Sequence, residues 1–169
     1  RESTSSRGLG DVYKRQEGSD RTLGLQMKSV GEVMGIGRSF QEALHKATQS
    51  LEIKRNGLGA DGKGYKDYDL IISKLANPSW DRVFVIFDAI QMGIPISRIH
   101  DITKIDIWFL RQYEELYHLQ KQISNYNIDS INRELLLEAK QKGYGDRQIA
   151  HILKCLESQV YNKRQELNI

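Results

Sequence analysis

From residue 68 to the C terminus, apolar residues recur at the three- and four-residue spacing of an amphipathic α-helix. Two prolines and several glycines divide this region into short segments, because proline breaks a helix and glycine favours its C-terminal turn. We therefore predict six or seven short helices and a mainly α-helical fold. The longest segment, "DIWFLRQYEELYHLQKQI", starts at a cap residue, Asp106, and its predicted inward side chains are Phe109, Tyr113, Leu116, Leu119 and Ile123.

The segment "SWDRVFVIFDAIQMG" is a helix prediction that competes with a strand. Its centre is rich in β-branched and aromatic residues, which favour strands. Its apolar residues nevertheless keep a helical spacing between Val83 and Ile90, and Ser79 and Gly93 are suitable as its cap and its end. We predict a helix here, with the strand as the alternative. Ser97 is predicted to start the next helix.

The N-terminal third differs in composition. Residues 1–16 are rich in Ser, Arg and Gly and follow neither period, so they are predicted to be a disordered arm or a non-native extension. Residues 22–33 fit a strand or loop. A helix then starts at "SFQE", where Ser39 and Glu42 form a capping-box pattern, and it is predicted to end near Lys54. Its predicted inward face comprises Phe40, Ala43, Leu44, Ala47 and Leu51.

The stretch "RNGLGADGKG" has four glycines in ten residues and almost no apolar side chain. Such a composition is typical of a flexible linker or a long surface loop. We therefore place the domain boundary here, between residues 55 and 56.

The charge balance argues against a polyanionic partner. The whole chain carries 25 Lys and Arg against 22 Asp and Glu, and residues 56–169 carry 15 of each. A face that binds nucleic acid normally has a basic excess. No apolar run approaches the roughly 20 residues of a membrane helix, and the single cysteine, Cys155, favours a reducing, cytoplasmic compartment.

The residues that could carry chemistry lack the spacing that chemistry requires. The glycines of "VGEVMGIG" match neither a phosphate-binding loop nor a dinucleotide fingerprint. The four histidines lie on different predicted helices, without the spacing of metal ligands. Glu114 and Glu115 are adjacent and point to different faces of one helix. A structural role is therefore favoured for each of these residues, and for Cys155.

One region has the outline of a helix-turn-helix DNA reader. Within residues 133–169, "GYGDRQIAHIL" supplies a turn glycine and the inward residues Ile149 and Ala150. The predicted recognition helix offers only Lys163 and Arg164, although DNA binding normally needs several phosphate contacts. A freestanding helical adaptor or DNA-binding module is therefore the alternative function.

Three motifs together resemble one known family. "TLGLQMKSVGEVMGIGRSFQEALHKATQSLE" looks like the closing segment of the first ATP-grasp module of the carbamoyl phosphate synthetase large subunit. "DITKIDIWFL" looks like that family's Thr-x-Ile-Asp-x-Trp-Phe-Leu helix start, and "AKQKGYGDRQIA" like its Lys-x-Gly-Phe-Ser-Asp-x-x-Ile-Ala turn. The motifs occur in the family's order and at about its spacing, over residues 20–169. Tyr144 and Gly145 replace the usual Phe and Ser of the last motif.

The resemblance implies a section from the middle of a longer enzyme. Residues 17–55 would be the C-terminal end of the ATP-grasp (carboxyphosphate) module, with its terminal strand and helix, and residues 56–169 the helical oligomerisation domain. The family makes carbamoyl phosphate from bicarbonate, ATP and ammonia from glutamine, for arginine and pyrimidine biosynthesis. Its ATP and its Mg or Mn ions are held upstream of this chain. We therefore expect no catalytic, cofactor-binding or metal-binding residue here, and an inactive fragment.

The resemblance also implies partners and one candidate site. Self-association and a glutaminase small subunit are expected, and neither nucleic acid nor a membrane. Met27 and Glu32 match the family segment that borders the interior passage for carbamate, so they are the predicted passage-lining residues. From the residues alone, Glu32 is equally suited to pair with Lys28 or Arg38 and hold the turn. The "IWFL" and "LLLEA" segments are candidate exposed contact surfaces.

Overall fold

The computed structural model describes residues 22, 24–25, 33–51, 53 and 55–169. Within these ranges the chain forms eight helices and no strand, and an isolated antiparallel bridge joins Thr22 to Ser79. None of these helices is long and apolar enough to cross a membrane. In chain order they are α1 (Phe40–Ser50), α2 (Tyr68–Ala76), α3 (Arg82–Gln91), α4 (Ile96–Thr103), α5 (Ile107–Ile123), α6 (Arg133–Gln141), α7 (Asp146–Leu153) and α8 (Glu157–Glu166).

The segment for which a strand is the alternative forms helix α3, as predicted. All seven residues from Phe84 to Ile90 are buried. A helix that is buried around its whole circumference must be enclosed by other elements, and α2, α4 and α5 pack against it. The tertiary surroundings of α3 therefore override the strand propensity of its centre.

Helix α5 connects the parts of the body, since it packs against α1, α3, α4, α6 and α7. The prediction that Phe109 faces inward is wrong, because Phe109 is 42% exposed. The inward face begins one residue later, and the other four predicted residues are confirmed. The buried residues of α5 are Leu110, Tyr113, Leu116, Leu119 and Ile123.

Side-chain caps start α1 and α5 as predicted. The Oγ of Ser39 accepts the N–H of Glu42 at 3.2 Å, and the carboxylate of Asp106 accepts the N–H of Trp108 at 2.8 Å. The Glu42 carboxylate accepts the N–H of Arg38 at 2.8 Å. In a regular capping box this carboxylate would accept the N–H of the cap residue, Ser39. Here it accepts the N–H of the preceding residue, Arg38.

Two other helix starts differ from the prediction. Helix α3 begins at Arg82 because the hydroxyl of Ser79 donates to the carboxylate of Asp81 and does not cap the helix. Helix α4 begins at Ile96, directly after a proline, so Ser97 lies inside the helix.

Helix α1 is shorter than predicted and packs through polar side chains. It ends at Ser50 because Leu51 has an extended backbone, with φ −70° and ψ 125°. The Nδ1 atom of His45 lies 2.8 Å from the carbonyl oxygen of Lys142. Such contacts satisfy carbonyls at the C-terminal end of α6 that have no partner within the helix. The buried residues of α1 are Gln41, His45 and Thr48, whereas the predicted face of Phe40, Ala43, Leu44, Ala47 and Leu51 is half-buried.

The loop between α1 and α2 packs into the body, although its composition predicts a flexible linker or a surface loop. Leu58 is fully buried, and Nε2 of Gln148 donates to its carbonyl oxygen at 2.7 Å. The N–H of Tyr65 donates to the carboxylate of Asp88 at 2.9 Å. These bonds fasten the loop to α7 and α3. The domain boundary placed within it stays a prediction.

His45 is held as a neutral imidazole. Because a carbonyl oxygen only accepts, Nδ1 carries the proton in its contact with Lys142. The Nε2 atom is buried and has no hydrogen-bond partner among the described residues, and the ring packs 4.4 Å from the ring of Tyr144. Burial therefore lowers the pKa of His45 from 6.5 to about 4, although the bond to Lys142 opposes this shift.

We predict that acid destabilises the protein through His45. Since the folded pKa of about 4 lies below the ordinary 6.5, the stability contribution of this residue is complete above pH 6.5 and is lost as the pH falls toward 4. Between pH 6.5 and pH 4, the free energy of unfolding of the wild type should fall relative to that of His45→Gln. The expected decrease is about 1.4 kcal/mol for each unit by which the pH is lowered. Urea denaturation at a series of pH values measures the difference.

The control is His118→Gln, which alters an exposed side chain on α5. It should keep the pH dependence of the wild-type protein. Parallel profiles for the wild type and His45→Gln would contradict the predicted protonation effect.

Gly59→Ala and Gly62→Ala separate steric fit from backbone strain in the loop. Both glycines have positive φ, +62° and +69°, so alanine strains either position by about 1–2 kcal/mol. A Cβ at Gly59 would also overlap the buried ring of Phe87, whereas at Gly62 it would meet nothing within 4 Å. We expect Gly59→Ala to lower the free energy of unfolding by about 1–3 kcal/mol more than Gly62→Ala. Equal losses in urea denaturation would show that the ring of Phe87 moves aside without cost.

Candidate functional site

Exposed aromatic side chains cluster where α1 and α5 begin. Trp108 is 53% exposed, and Phe109 and Ile107 are exposed beside it. The ring centroid of Phe40 lies 5.7 Å from that of Trp108 and 5.2 Å from that of Phe109, both in edge-to-face geometry. Single exposed apolar residues are ordinary, but a contiguous group marks an interaction site. We call Phe40, Ile107, Trp108 and Phe109 the aromatic strip.

Helical geometry produces the aromatic strip. Because successive residues of a helix are 100° apart, the three large residues that follow Asp106 cannot all face the core. Leu110, the fourth, is fully buried, and Tyr113 continues the inward face. The signal in the sequence was this run of three large apolar residues directly after a cap. The contact of Phe40 with two of them was not predictable, because it joins helices that are distant in sequence.

The two candidate contact surfaces from the sequence differ in the structure. The candidate "IWFL" segment is exposed at three of its four positions, including Phe109, for which the inward prediction is wrong. The exposure predicted for "LLLEA" is wrong for its apolar residues: Leu136 and Ala139 are buried, and Leu135 and Leu137 are half-buried. Leu136 and Ala139 belong to the core and Leu135 packs against it, and α6 as a whole packs against α5.

Residues 33–37 extend the apolar surface along α1. Met34 is 83% exposed, and Val33 and Ile36 are exposed as well. A Cβ at Gly35 would overlap the backbone of α1 at Ala43, so this position requires glycine for close packing. The segment therefore lies against α1 and presents its larger side chains outward.

An open cleft of about 600 Å³ is a second candidate site. It lies between the loop that includes residues 59–66 and helices α3, α5 and α7. Burial raises the pKa of Asp88 in this cleft, although the N–H of Tyr65 donates to its carboxylate and acts in the opposite direction. Asp88 thereby fastens the loop to α3, and this structural use accounts for its burial.

The titratable residues that the sequence offers for chemistry make structural contacts in the fold. Among the described residues, no three His, Cys, Asp or Glu side chains are placed to hold a metal ion. The Nδ1 atom of His100 lies 2.7 Å from the carbonyl oxygen of Ile105. Glu115 accepts a hydrogen bond from Nε2 of Gln41 at 2.6 Å. Burial raises the pKa of the Cys155 thiol, which disfavours the nucleophilic thiolate.

The predicted passage residues, Met27 and Glu32, lie outside the described residues, as do Lys28 and residues 1–16. Their assignment stays a prediction. Residues 33–37 have no regular secondary structure. Residues 26–32, which would form much of the predicted terminal strand, also lie outside the described part of the chain.

The cations of the predicted DNA-recognition helix contact acidic side chains. An Nη atom of Arg164 lies 2.6 Å from the carboxylate of Asp146, and Nζ of Lys163 lies 3.2 Å from that of Glu166. Burial alone would raise the pKa of Asp146, but hydrogen bonds from Lys140 and Arg164 outweigh it and lower that pKa. Arg164 therefore links α8 to Asp146 of α7, and Lys163 pairs within α8, which weakens the DNA-binding hypothesis.

Comparison with known proteins identifies the family. The family model described as carbamoyl-phosphate synthetase large chain, oligomerisation domain, matches residues 32–168. The carbamoyl phosphate synthase large chain of Archaeoglobus fulgidus is 42% identical over 152 residues, which cover 87% of this chain and 14% of that protein. The large chain of Rhodopirellula baltica is 42% identical over 165 residues, covering 94% of this chain and 15% of that protein. That of a Nostoc species is 37% identical over 159 residues, covering 94% and 14%.

These relatives are much longer than the chain, which spans only 14–15% of their length. The match nevertheless includes all eight helices and most of the three motifs that carry the resemblance in the sequence. The resemblance is thereby confirmed. The chain belongs to the family of carbamoyl phosphate synthetase large chains, whose oligomerisation-domain model matches residues 32–168.

Proposed function

We propose that the chain is a section of the large chain of a glutamine-hydrolysing carbamoyl phosphate synthase. The whole enzyme would make carbamoyl phosphate from bicarbonate, ATP and ammonia released from glutamine, in the cytoplasm, for arginine and pyrimidine biosynthesis. The observation that carries the proposal is the family match over residues 32–168. The identity of 37–42% to curated large chains supports it, and the freestanding DNA-binding alternative has no comparable support.

Within that enzyme, the helical body supplies subunit contacts and no chemistry. Self-association is the role that the description of the matched domain implies. The glutaminase small subunit is proposed as the second partner. Residues 17–55 are proposed to be the end of an ATP-grasp module, in which Met27 and Glu32 line the passage for carbamate.

ATP and its Mg or Mn ions are proposed to bind to other parts of the large chain. The described residues do not fit such ions, because their His, Cys, Asp and Glu side chains nowhere gather in threes. The carboxylate of Asp81 illustrates how the acidic groups are used. It accepts hydrogen bonds from the hydroxyl of Ser79, the hydroxyl of Tyr65 at 2.8 Å and Nζ of Lys74 at 2.9 Å. It is therefore part of the packing between the loop, α2 and α3.

The isolated chain is predicted to self-associate. Sedimentation equilibrium over roughly 1–200 μM should give an average mass that rises with concentration, because mass action populates an assembly. The limit should be a multiple of the 19.5 kDa monomer. The same protein in urea provides the monomer control. A native mass that stays at 19.5 kDa over the whole range would contradict the proposed role.

The isolated chain is also predicted to be catalytically inert. It should show no ATP hydrolysis in response to bicarbonate, since the proposal places the ATP and metal ligands elsewhere. A coupled assay of ADP release measures this, with a full-length large chain as the positive control. Bicarbonate-dependent hydrolysis by the isolated chain would refute the assignment.

A further inference from the structure

Three helices present their last turns to the open cleft of about 600 Å³. The last-turn residues that line it are Asp88 and Gln91 of α3, Gln120 and Lys121 of α5, and His151 and Ile152 of α7. The C-terminal end of a helix carries about half a negative unit charge. Within the described part of the chain, the carbonyls of Gln91 and Ile152 have no backbone partner. The helix ends at the cleft therefore favour a positive group.

Buried acceptors beside the cleft have the same preference. Asp88 is 3% exposed and forms no ion pair with any described residue. Asp61 differs, because its side chain lies 2.5 Å from Nε of Arg55, which compensates its charge. The Oε1 atom of Gln120 is buried and accepts no hydrogen bond from the described residues. An uncompensated carboxylate and an unpaired acceptor thus lie behind the surface of the cleft.

The exposed charges at the cleft have the opposite sign. Lys66 and Lys121 are both exposed and line it from different elements, the loop and α5. Neither forms an ion pair with a described residue, whereas five other lysines do. The positive charge of the cleft is therefore at its solvent side, and the negative charge is at its buried side.

Apolar side chains complete the wall. Met92, Tyr117 and Ile152 line the cleft, and Met92 is 36% exposed. The ring of Tyr117 packs against that of Phe87 in edge-to-face geometry, with 6.4 Å between their centroids, so a neighbour of the core positions it. The volume falls within the range of about 300–1,000 Å³ that is usual for small-molecule sites. The cleft thus offers apolar contact between two regions of opposite charge.

We propose that this cleft binds a small zwitterion with an apolar body, such as an amino acid with a large apolar side chain. Its ammonium group would lie toward the helix ends and Asp88, and its carboxylate toward Lys66 and Lys121. The apolar body would pack on Met92 and Tyr117. This inference does not depend on the proposed function, since it uses only the geometry and charges of the described residues.

Molecules with a single sign of charge match the cleft less well. An anion without an amine would gain from the two lysines but would meet three helix ends and Asp88, all of which disfavour a negative group. An amine without a carboxylate would gain from the helix ends but would be repelled by Lys66 and Lys121. A zwitterion satisfies both regions, so each of its charged groups should contribute to affinity.

Equilibrium dialysis with tritiated L-phenylalanine tests the proposal. The chain should bind one molecule at a saturable site with a Kd of about 1 mM or tighter. Two competitors differ from this probe by one group: phenylacetate lacks the ammonium group, and phenethylamine lacks the carboxylate. Each should compete at least about tenfold more weakly than unlabelled phenylalanine, because it loses the hydrogen bonds of one charged group.

A pair of matched variants locates the site. Lys121→Gln removes one exposed cation from the cleft and should weaken the binding of phenylalanine at least about threefold. Lys104→Gln, at an exposed lysine that follows α4 and does not line the cleft, should bind like the wild type. Circular dichroism of both variants should match the wild type, since both side chains are exposed. The same comparison is then made in the full-length large chain.

Four outcomes would overturn the proposal. The first is the absence of saturable binding up to about 10 mM phenylalanine. The second is competition by phenylacetate or phenethylamine as strong as that by phenylalanine, which would make the cleft an anion or a cation site. The third is unchanged binding in Lys121→Gln. The fourth is equal binding by the wild type and Lys121→Gln in the full-length protein, which would show that another domain covers the cleft there.

Discussion

The enclosure of α3 is the constraint on which the rest of the body depends. Seven consecutive buried residues leave this helix without a solvent-facing stripe. Helices α2, α4 and α5 cover part of its circumference, and the loop before α2 covers another part. Gly59 lies so close to the ring of Phe87 that a Cβ would overlap it. The glycines that make this loop resemble a linker therefore allow its backbone to lie on α3.

The same loop supplies partners for the carboxylates that the enclosure buries. The N–H of Tyr65 donates to Asp88, and its hydroxyl donates to Asp81, which also accepts a bond from Lys74. An unpaired buried carboxylate costs several kcal/mol, so these partners are needed before α3 can be covered. The loop before α2 thus both shields α3 from solvent and supplies hydrogen-bond partners for its buried carboxylates. These contacts explain why a glycine-rich loop is ordered.

The helical class and the starts of α1 and α5 could be predicted from the sequence, because caps such as Ser39 and Asp106 act locally. The face through which α1 packs could not be predicted. Apolar periodicity favours the side of Phe40 and Leu44, whereas the buried residues include His45, whose partner carbonyl lies 97 residues further along the chain. A contact of that kind depends on where α6 ends in space, which local patterns do not specify. Only part of the aromatic strip could be predicted from the sequence. The exposure of "IWFL" follows from helical geometry, but its contact with Phe40 of α1 does not.

The polar packing of α1 and its apolar flank have complementary physical properties. Hydrogen bonds are directional but contribute only about 1 kcal/mol net each, so the bonds of His45 and Gln49 to the end of α6 orient α1 more than they stabilise it. Apolar contact is non-directional and grows with area. Directional bonds therefore fix the orientation of α1 on the side of His45, whereas half-buried apolar contacts of Phe40, Ala43 and Ala47 hold its other flank.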